Sequence, residues 1–399
     1  MKVPVTKPYI GEEEKKAVCD VLESGWLVQG QKVLEFEKAV CDFTGATFAR
    51  ASTNCTTALH LALIALGIGP GDEFLLPSFT YIASANAIEY TGARPVFVDI
   101  DLRTFNIDPA KIEQHLKWTT PGSKVKGIMP VHLFGLVADM GAIMELSKEH
   151  DLFLVEDAAN ALGSLYKSKH AGTFGNAGCF SFHPRKPVTT GEGGMVTTGS
   201  QEFATKIESL RDHGASISDM ARHEKQGYLL PSFNVLGYNY RMTDIQGAIG
   251  IEQMKKFPWM LEQRIKRAKR YNEELKDIKW LQTPYIPDGC DHTYQSYVTL
   301  IQNPKYKNLI LDNINELNRF RNKVMVDLEE KGIATRQGTH AVHTLTYYKK
   351  KYNLKDEDYI NSIAADRLSM TLPLYPQMTD EEQGYVIDNL KRVNRDYFG

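Results

Sequence analysis

Cysteine is scarce in this chain. Five occur among 399 residues, at positions 19, 41, 55, 179 and 290; the number is odd and no pair has CxxC spacing. That argues against a disulfide framework and a cysteine zinc site, and it suits a reducing cytoplasm. No apolar run is long enough to span a bilayer. The opening Met1-Lys-Val-Pro-Val-Thr-Lys-Pro8 lacks the apolar core of a signal peptide. Charge of neither sign is in excess: the net of −2 gives no electrostatic case for nucleic acid or an anionic membrane. A GxGxxG turn is missing, since neither Asn54-Cys-Thr-Thr57 nor Gly69-Pro-Gly71 supplies it, and the main sign of a dinucleotide site goes with it. Internal repeats and low-complexity tracts are absent too. What remains is an ordinary globular composition, 42% hydrophobic and 24% charged, long enough for two domains or one large domain with an appendage.

From residue 48 onward, apolar strands alternate with helices. A strand from Phe48 runs into the polar turn Ser52-Thr-Asn54 and then a strongly apolar helix, Cys55 to Leu66. Strands at 74–77, 95–99, 127–131 and 152–156 are each followed by a helical or turn segment. This pattern predicts a mostly parallel sheet covered by helices on both faces. Ligands of such sheets sit at the carboxyl ends of the strands. Residues 214–235 read as an irregular polar loop, and 259–276 as a long charged helix leading to a smaller α+β unit. The expected division is a large cofactor-binding domain over 1–255 and a connecting helix with a small C-terminal domain over 256–399.

Several polar residues fall at the predicted ligand edge. Lys186 lies in a loop between two buried strands, bracketed by Pro184 and Pro187. A lysine there reaches solvent, pairs with a charge, or loses its proton and becomes a nucleophilic amine. Thr56 and Thr57 open the apolar helix, where amides and hydroxyls suit an anion such as phosphate, or simply cap the helix. Asp157 ends a buried strand beside Glu156, as a partner for a cation or as an N-cap. Tyr81 starts a helix, as a stacking platform or as packing. His340 and His343 are three apart without further ligands for a metal. A phosphate site, an aromatic, a buried carboxylate and a loop lysine together are what pyridoxal 5′-phosphate requires: an amine for its aldehyde, an acid for its ring nitrogen, a helix end for its phosphate.

The motifs carry a family resemblance over nearly the full length. Lys7-Pro-Tyr-Ile-Gly-Glu-Glu-Glu14, Ser24-Gly-Trp26, Ala58-Leu-His-Leu-Ala-Leu63 and Glu156-Asp-Ala-Ala159 contribute. Most specific together are Gly172-Thr-Phe-Gly175, Phe180-Ser-Phe-His-Pro-Arg-Lys-Pro-Val-Thr-Thr-Gly-Glu-Gly-Gly194 and Gly237-Tyr-Asn-Tyr-Arg-Met-Thr-Asp-Ile-Gln246. The chain resembles the DegT/StrS-type sugar aminotransferases, pyridoxal-phosphate enzymes of the aspartate-aminotransferase fold. The resemblance implies that Lys186 holds the cofactor as an internal aldimine and shuttles the proton, while Asp157 partners the ring nitrogen. It implies that Ser181, Thr56 and Thr57 bind the phosphate, that Tyr81 stacks on the ring and that Ala159 touches its other face. Asn160 stands where the family often has glutamine or histidine near the phenolic oxygen, and Cys55 where a small residue is common. Asn239 matches an asparagine that reaches the neighbouring subunit's phosphate, which implies a homodimer with shared sites. The implied substrates are a nucleotide-linked keto-sugar and an amino donor, usually L-glutamate. A sugar dehydratase on the same scaffold and a non-catalytic cofactor-binding regulator are the rivals; the presence of Lys186 favours transamination. Trp26, His183, Arg185, His340 and the stretch 336–348 are candidates for substrate contact.

Overall fold

The computed structural model describes residues 1–117, 124–216, 231–306 and 308–398. Seven strands form one sheet in the order 48–52, 194–198, 177–181, 153–157, 125–128, 73–77, 94–98. Six run parallel and Gly194–Thr198 alone is antiparallel, to both its neighbours. The protein is therefore an α/β fold built on a large, mostly parallel sheet, as the alternating pattern predicts. The reversal has a local cause. Ala177–Ser181 and Gly194–Thr198 are joined by the lysine loop, which closes like a hairpin: Phe182 N donates to Gly193 O at 2.9 Å and Thr190 N to Phe182 O at 2.9 Å. Both ends of that loop stay at one sheet edge.

The helix Cys55–Ala65 is apolar all round because it is covered all round. Ala58, Leu59, Leu61, Ala62 and Leu63 are buried between the sheet and the helices Ile82–Tyr90 and Gln201–Arg211. Asn54 caps it, its side chain accepting from Thr57 N at 3.0 Å. On the opposite face pack Glu12–Ser24, Gln31–Thr44 and the first half of a 32-residue helix, Asp244–Leu275. Asp244 serves two helices. It stands in the first turn of its own and accepts from Gly30 N, Lys32 N and Val33 N at 2.7, 3.2 and 3.1 Å, satisfying the start of Gln31–Thr44.

That long helix begins well before the charged helix over 259–276 that the sequence suggests. It runs through Pro258 unbroken. An interior proline costs about 3 kcal/mol. Phe257 and Met260, on either side of it, are fully buried and each contributes roughly 2–3 kcal/mol by burial, so packing outweighs the lost hydrogen bond. Beyond it the strands Leu281–Gln282, Tyr297–Ile301 and Ser369–Leu372 form a small antiparallel sheet, covered by Leu311–Glu330 and Ile360–Leu368. The first residues of the chain join this C-terminal unit: Val3 N donates to Gly332 O and Ala334 N to Val3 O, both at 2.9 Å, and Leu374 N to Val5 O at 3.0 Å. Of the polar loop at 214–235, residues 217–230 lie outside the described residues. Its two ends pair, with Ser216 N donating to Ser232 O at 2.8 Å and Asn234 N to Gly214 O at 3.1 Å.

Candidate active site

The ends of three adjacent strands and one helix meet at Lys186. Asp157 closes Phe153–Asp157 and pairs in register with Cys179 of the next strand. Ser181 closes that strand opposite Gly194. A Cβ on Gly194 would lie 2.3 Å from the Asn54 carbonyl and 2.7 Å from Cys55 N, so glycine is what lets the strand approach the helix N-terminus. The first backbone bond of the helix is donated by Ala58 N, to Asn54 O at 3.1 Å. The amides of Cys55 and Thr56 are thus free of helix carbonyls. The Thr56 hydroxyl has no partner among the described residues. Thr57 is committed: its amide goes to the cap and its hydroxyl donates to Asn54 O at 2.7 Å.

Lys186 Nζ donates to Asn160 Oδ1 at 2.5 Å. The residue as a whole is half-buried, yet protein surrounds the amine, and burial brings it down to about 8; Cys55 and Asp157 offset part of this, and Arg336 and Arg185 add to it. The same burial pushes the Cys55 thiol well up. An amine near 8 sits in its neutral, nucleophilic form at mildly alkaline pH. We expect the rate at which apo-protein takes up pyridoxal phosphate, followed by visible absorption, to rise with pH through about 8 and then level off. A rise that continued toward the ordinary lysine range, about 10.4, would contradict the burial described.

Asp157 is 5% exposed. Its Oδ2 accepts from Ser84 Oγ at 2.7 Å and its Oδ1 from Ala159 N at 3.1 Å. Glu156 beside it points the other way and is fully buried. It accepts from Gly172 N, Phe174 N and Gly175 N at 2.7, 2.7 and 2.8 Å, and from His132 Nε2 at 3.0 Å. His132 Nδ1 accepts from Ala138 N at 3.2 Å, which leaves the proton on Nε2. The motif Gly172–Gly175 is therefore a loop fastened by Glu156, with Gly172 at φ 78°.

Tyr81 caps Ile82–Tyr90 and is 66% exposed, its ring free of aromatic contact among the described residues. Ala159 and Asn160 are half-buried, and Asn239 is exposed with no side-chain hydrogen bond among the described residues. His183 Nδ1 accepts from Arg185 N at 3.2 Å and its backbone carbonyl from Lys186 N at 2.8 Å, so it braces the loop. Arg185 is exposed, its carbonyl held by Gln295 Nε2 at 2.9 Å. Trp26 Nε1 donates to Gln29 O at 3.4 Å. His343 is buried and bonded through Nδ1 to Ser78 Oγ at 2.5 Å, whereas His340 is exposed. Among the described residues no three His, Cys, Asp or Glu are grouped to hold a metal, and no helix is long and apolar enough to cross a membrane. An apolar cavity of about 540 Å³ behind the lysine loop, lined by Ile10, Val18, Pro184 and Ile249, contains none of these reactive groups.

Sequence reasoning missed Ser84 and did not single out Arg336. Ser84 reads as one more small residue of an apolar helix; only the fold aims it at Asp157. Arg336 has its Nε buried without an acceptor among the described residues, and Nη2 donates weakly to Ser296 Oγ at 3.4 Å. It lies within 336–348, but nothing in that stretch distinguishes it from a surface cation.

A desolvated amine, a carboxylate with fixed orientation, an accessible aromatic and open helix-end amides fit pyridoxal phosphate chemically. The bound cofactor supplies an aldehyde that condenses with amines and a ring that draws electrons from the adjacent carbon. Residues 8–391 match the DegT/DnrJ/EryC1/StrS aminotransferase family. The chain belongs to that family. This aminotransferase is 36% identical over 394 residues to GDP-perosamine synthase of Caulobacter vibrioides, covering 98% of each. Among solved structures it superposes with a TM-score of 0.88 on PseC of Helicobacter pylori, an aminotransferase involved in the biosynthesis of pseudoaminic acid (26% identity, 100% of each chain). It does so equally, at 0.88, on the PLP form of a putative sugar aminotransferase, Spr1654 of Streptococcus pneumoniae (28% identity, 100% of each chain). The aminotransferase is a pyridoxal-phosphate enzyme of fold type I.

Proposed function

We propose that this aminotransferase converts a nucleotide-linked keto-sugar to its amino-sugar, with L-glutamate as donor, at a site centred on Lys186. The observation that carries the reading is the Lys186 amine, brought to about 8 by burial and bonded to Asn160 beside the strand end of Asp157. Lys186 would hold the cofactor through its amine and accept and return a proton at Nζ. With the cofactor bound, the Asp157 carboxylate would be the partner of the ring nitrogen and would favour its protonated form. Tyr81 and Ala159 would flank the cofactor ring, and Asn160 would serve its phenolic oxygen. Ser181, Thr56 and the open amides hold the phosphate; Thr57 acts through its cap. The family match and the name GDP-perosamine synthase, which joins a nucleotide to an amino-sugar, support the sugar side.

The donor is read from charge. No carboxylate among the described residues pairs with Arg336 or Arg185, although both guanidinium groups lie close enough to oppose the Lys186 charge. A donor carboxylate supplies the missing anion. Losing a charge-assisted hydrogen bond costs about 1.5–3 kcal/mol, so Arg336→Gln should raise the KM for glutamate about 10- to 100-fold and leave the sugar KM within twofold. An unaltered glutamate KM would remove Arg336 from the donor site.

Asn239, exposed and without a side-chain partner, serves a neighbouring subunit in this reading, which makes the enzyme a homodimer with shared sites. Its division is a cofactor unit over 1–255 and a smaller unit over 256–399, except that Val3 and Val5 at the start of the chain pair with the smaller unit. Five free thiols are in keeping with a reducing cytoplasm. The test is a panel of nucleotide-linked keto-sugars offered with glutamate, read by mass spectrometry for amine product and by coupled assay for 2-oxoglutarate. Loss of water from the sugar with no 2-oxoglutarate would replace transamination by dehydration.

A further inference from the structure

Ser84 and Thr80 lie behind Asp157 as a buried pair that the reaction outlined above does not use. Both are fully buried. Ser84 Oγ is 2.7 Å from Asp157 Oδ2, 3.2 Å from the Tyr81 carbonyl and 3.0 Å from Thr80 Oγ1. A hydroxyl has one proton to donate. The ionised carboxylate is the better acceptor and the closer one, so the Ser84 proton points at Asp157. Thr80 must then be the donor to Ser84. The direction of both protons follows from the carboxylate alone: Thr80 O–H to Ser84 Oγ, and Ser84 O–H to Asp157.

We propose that Ser84 is a positioning residue for Asp157, oriented in turn by Thr80, and that this two-hydroxyl relay fixes the carboxylate plane against the cofactor ring. The proposal rests on the reading of Asp157 as the partner of the ring nitrogen. Oδ1 is held by the Ala159 amide, so the relay supplies the second of two anchors, one on each oxygen. With both in place the carboxylate cannot turn about its Cβ–Cγ bond. With only Ala159 it can, and the acceptor that faces the ring loses its direction. The same turn carries Tyr81, three residues before Ser84, so both ring contacts are set from one short segment.

The test uses full-length holoenzyme saturated with pyridoxal phosphate. Ser84→Ala should lower kcat about tenfold, keep both KM values within twofold, alter the visible absorption of the bound cofactor and speed its loss on dialysis. Thr80→Val, close in shape, should give a smaller drop of about threefold. In the Ser84→Ala background Thr80→Val should add nothing, because the hydroxyl it orients is gone. Apo-protein melting curves show whether each variant folds; if Ser84→Ala does not, the Thr80→Val arm still decides. A folded Ser84→Ala with the spectrum, retention and kcat of the parent overturns the proposal, as does a Thr80→Val effect of equal size in both backgrounds. Asp157→Asn separates the two levels. If it is impaired while Ser84→Ala is not, the relay fails and the role of Asp157 stands; if Asp157→Asn behaves as the parent, the reading of Asp157 itself fails.

Discussion

Lys186→Ala should reduce turnover by about 10⁴-fold, the upper range for removing a positioned proton-transfer group. The amine has two tasks in the proposed reaction, holding the cofactor and moving a proton at Nζ, and no neighbour can take either over. Among the titratable groups facing it, Cys55 is a buried thiol pushed well up and Arg185 and Arg336 are permanently charged. The fold should survive. Lysine burial is a cost to the apo-protein, since its amine binds protons less well folded than unfolded. Stability from this group therefore rises with pH between about 8 and the unfolded value of roughly 10.4. The alanine variant should lose that slope while melting no lower at neutral pH. The measurement is steady-state turnover with glutamate, alongside the visible spectrum with added cofactor; more than a tenth of parental activity would rule Lys186 out as the reactive amine.

The largest stability effect is expected one residue before the acid. Glu156→Ala removes the acceptor of three backbone amides and of His132 at once, in a place no water reaches from outside. Stranding the partners of a buried charge costs about 3–5 kcal/mol. Glu156→Gln keeps the shape but turns an NH₂ toward amides that also donate, so it should recover less than half of the loss. Urea unfolding of the two variants and the parent, all as apo-protein, reads both numbers. A Glu156→Ala midpoint within about 1 kcal/mol of the parent would mean that the Gly172–Gly175 loop is held by something else.

The neighbours Glu156 and Asp157 also mark what a sequence can and cannot disclose. Strand alternation sends adjacent side chains to opposite faces of the sheet, so the two carboxylates had to find separate sets of partners. Which carboxylate would find compensation inside was invisible, because its partners come from 132 and from a loop 16 to 19 residues on. The run of apolar strands and the lysine loop were legible because each depends on local pattern alone. Thr57 was legible as a helix-start residue but not as one whose hydroxyl is already taken. Ser84 gave no sign, since its meaning lies in a contact 73 residues away; Arg336 was legible only as one member of the 336–348 stretch, since its missing partner is a tertiary fact. The helix through Pro258 extends well before the predicted 259–276 because tertiary burial on both sides of the proline outweighs its cost. Likewise nothing in Met1–Val5 foretells an attachment to residues more than 300 positions distant.

One seam between the two halves bears on any attempt to alter the sugar preference by exchange of parts. His340–Ala341 pairs as a strand with Phe79–Thr80, and Val342 N donates to Ser78 O at 2.7 Å. The C-terminal unit is thus stitched to the turn that bears Tyr81 and Ser84. A chimaera cut in the long helix would import a foreign 340–343 segment against a native 78–80. The turn that bears Tyr81 and Ser84 would shift with it, so donors for such grafts should be matched at Ser78 and His343 first.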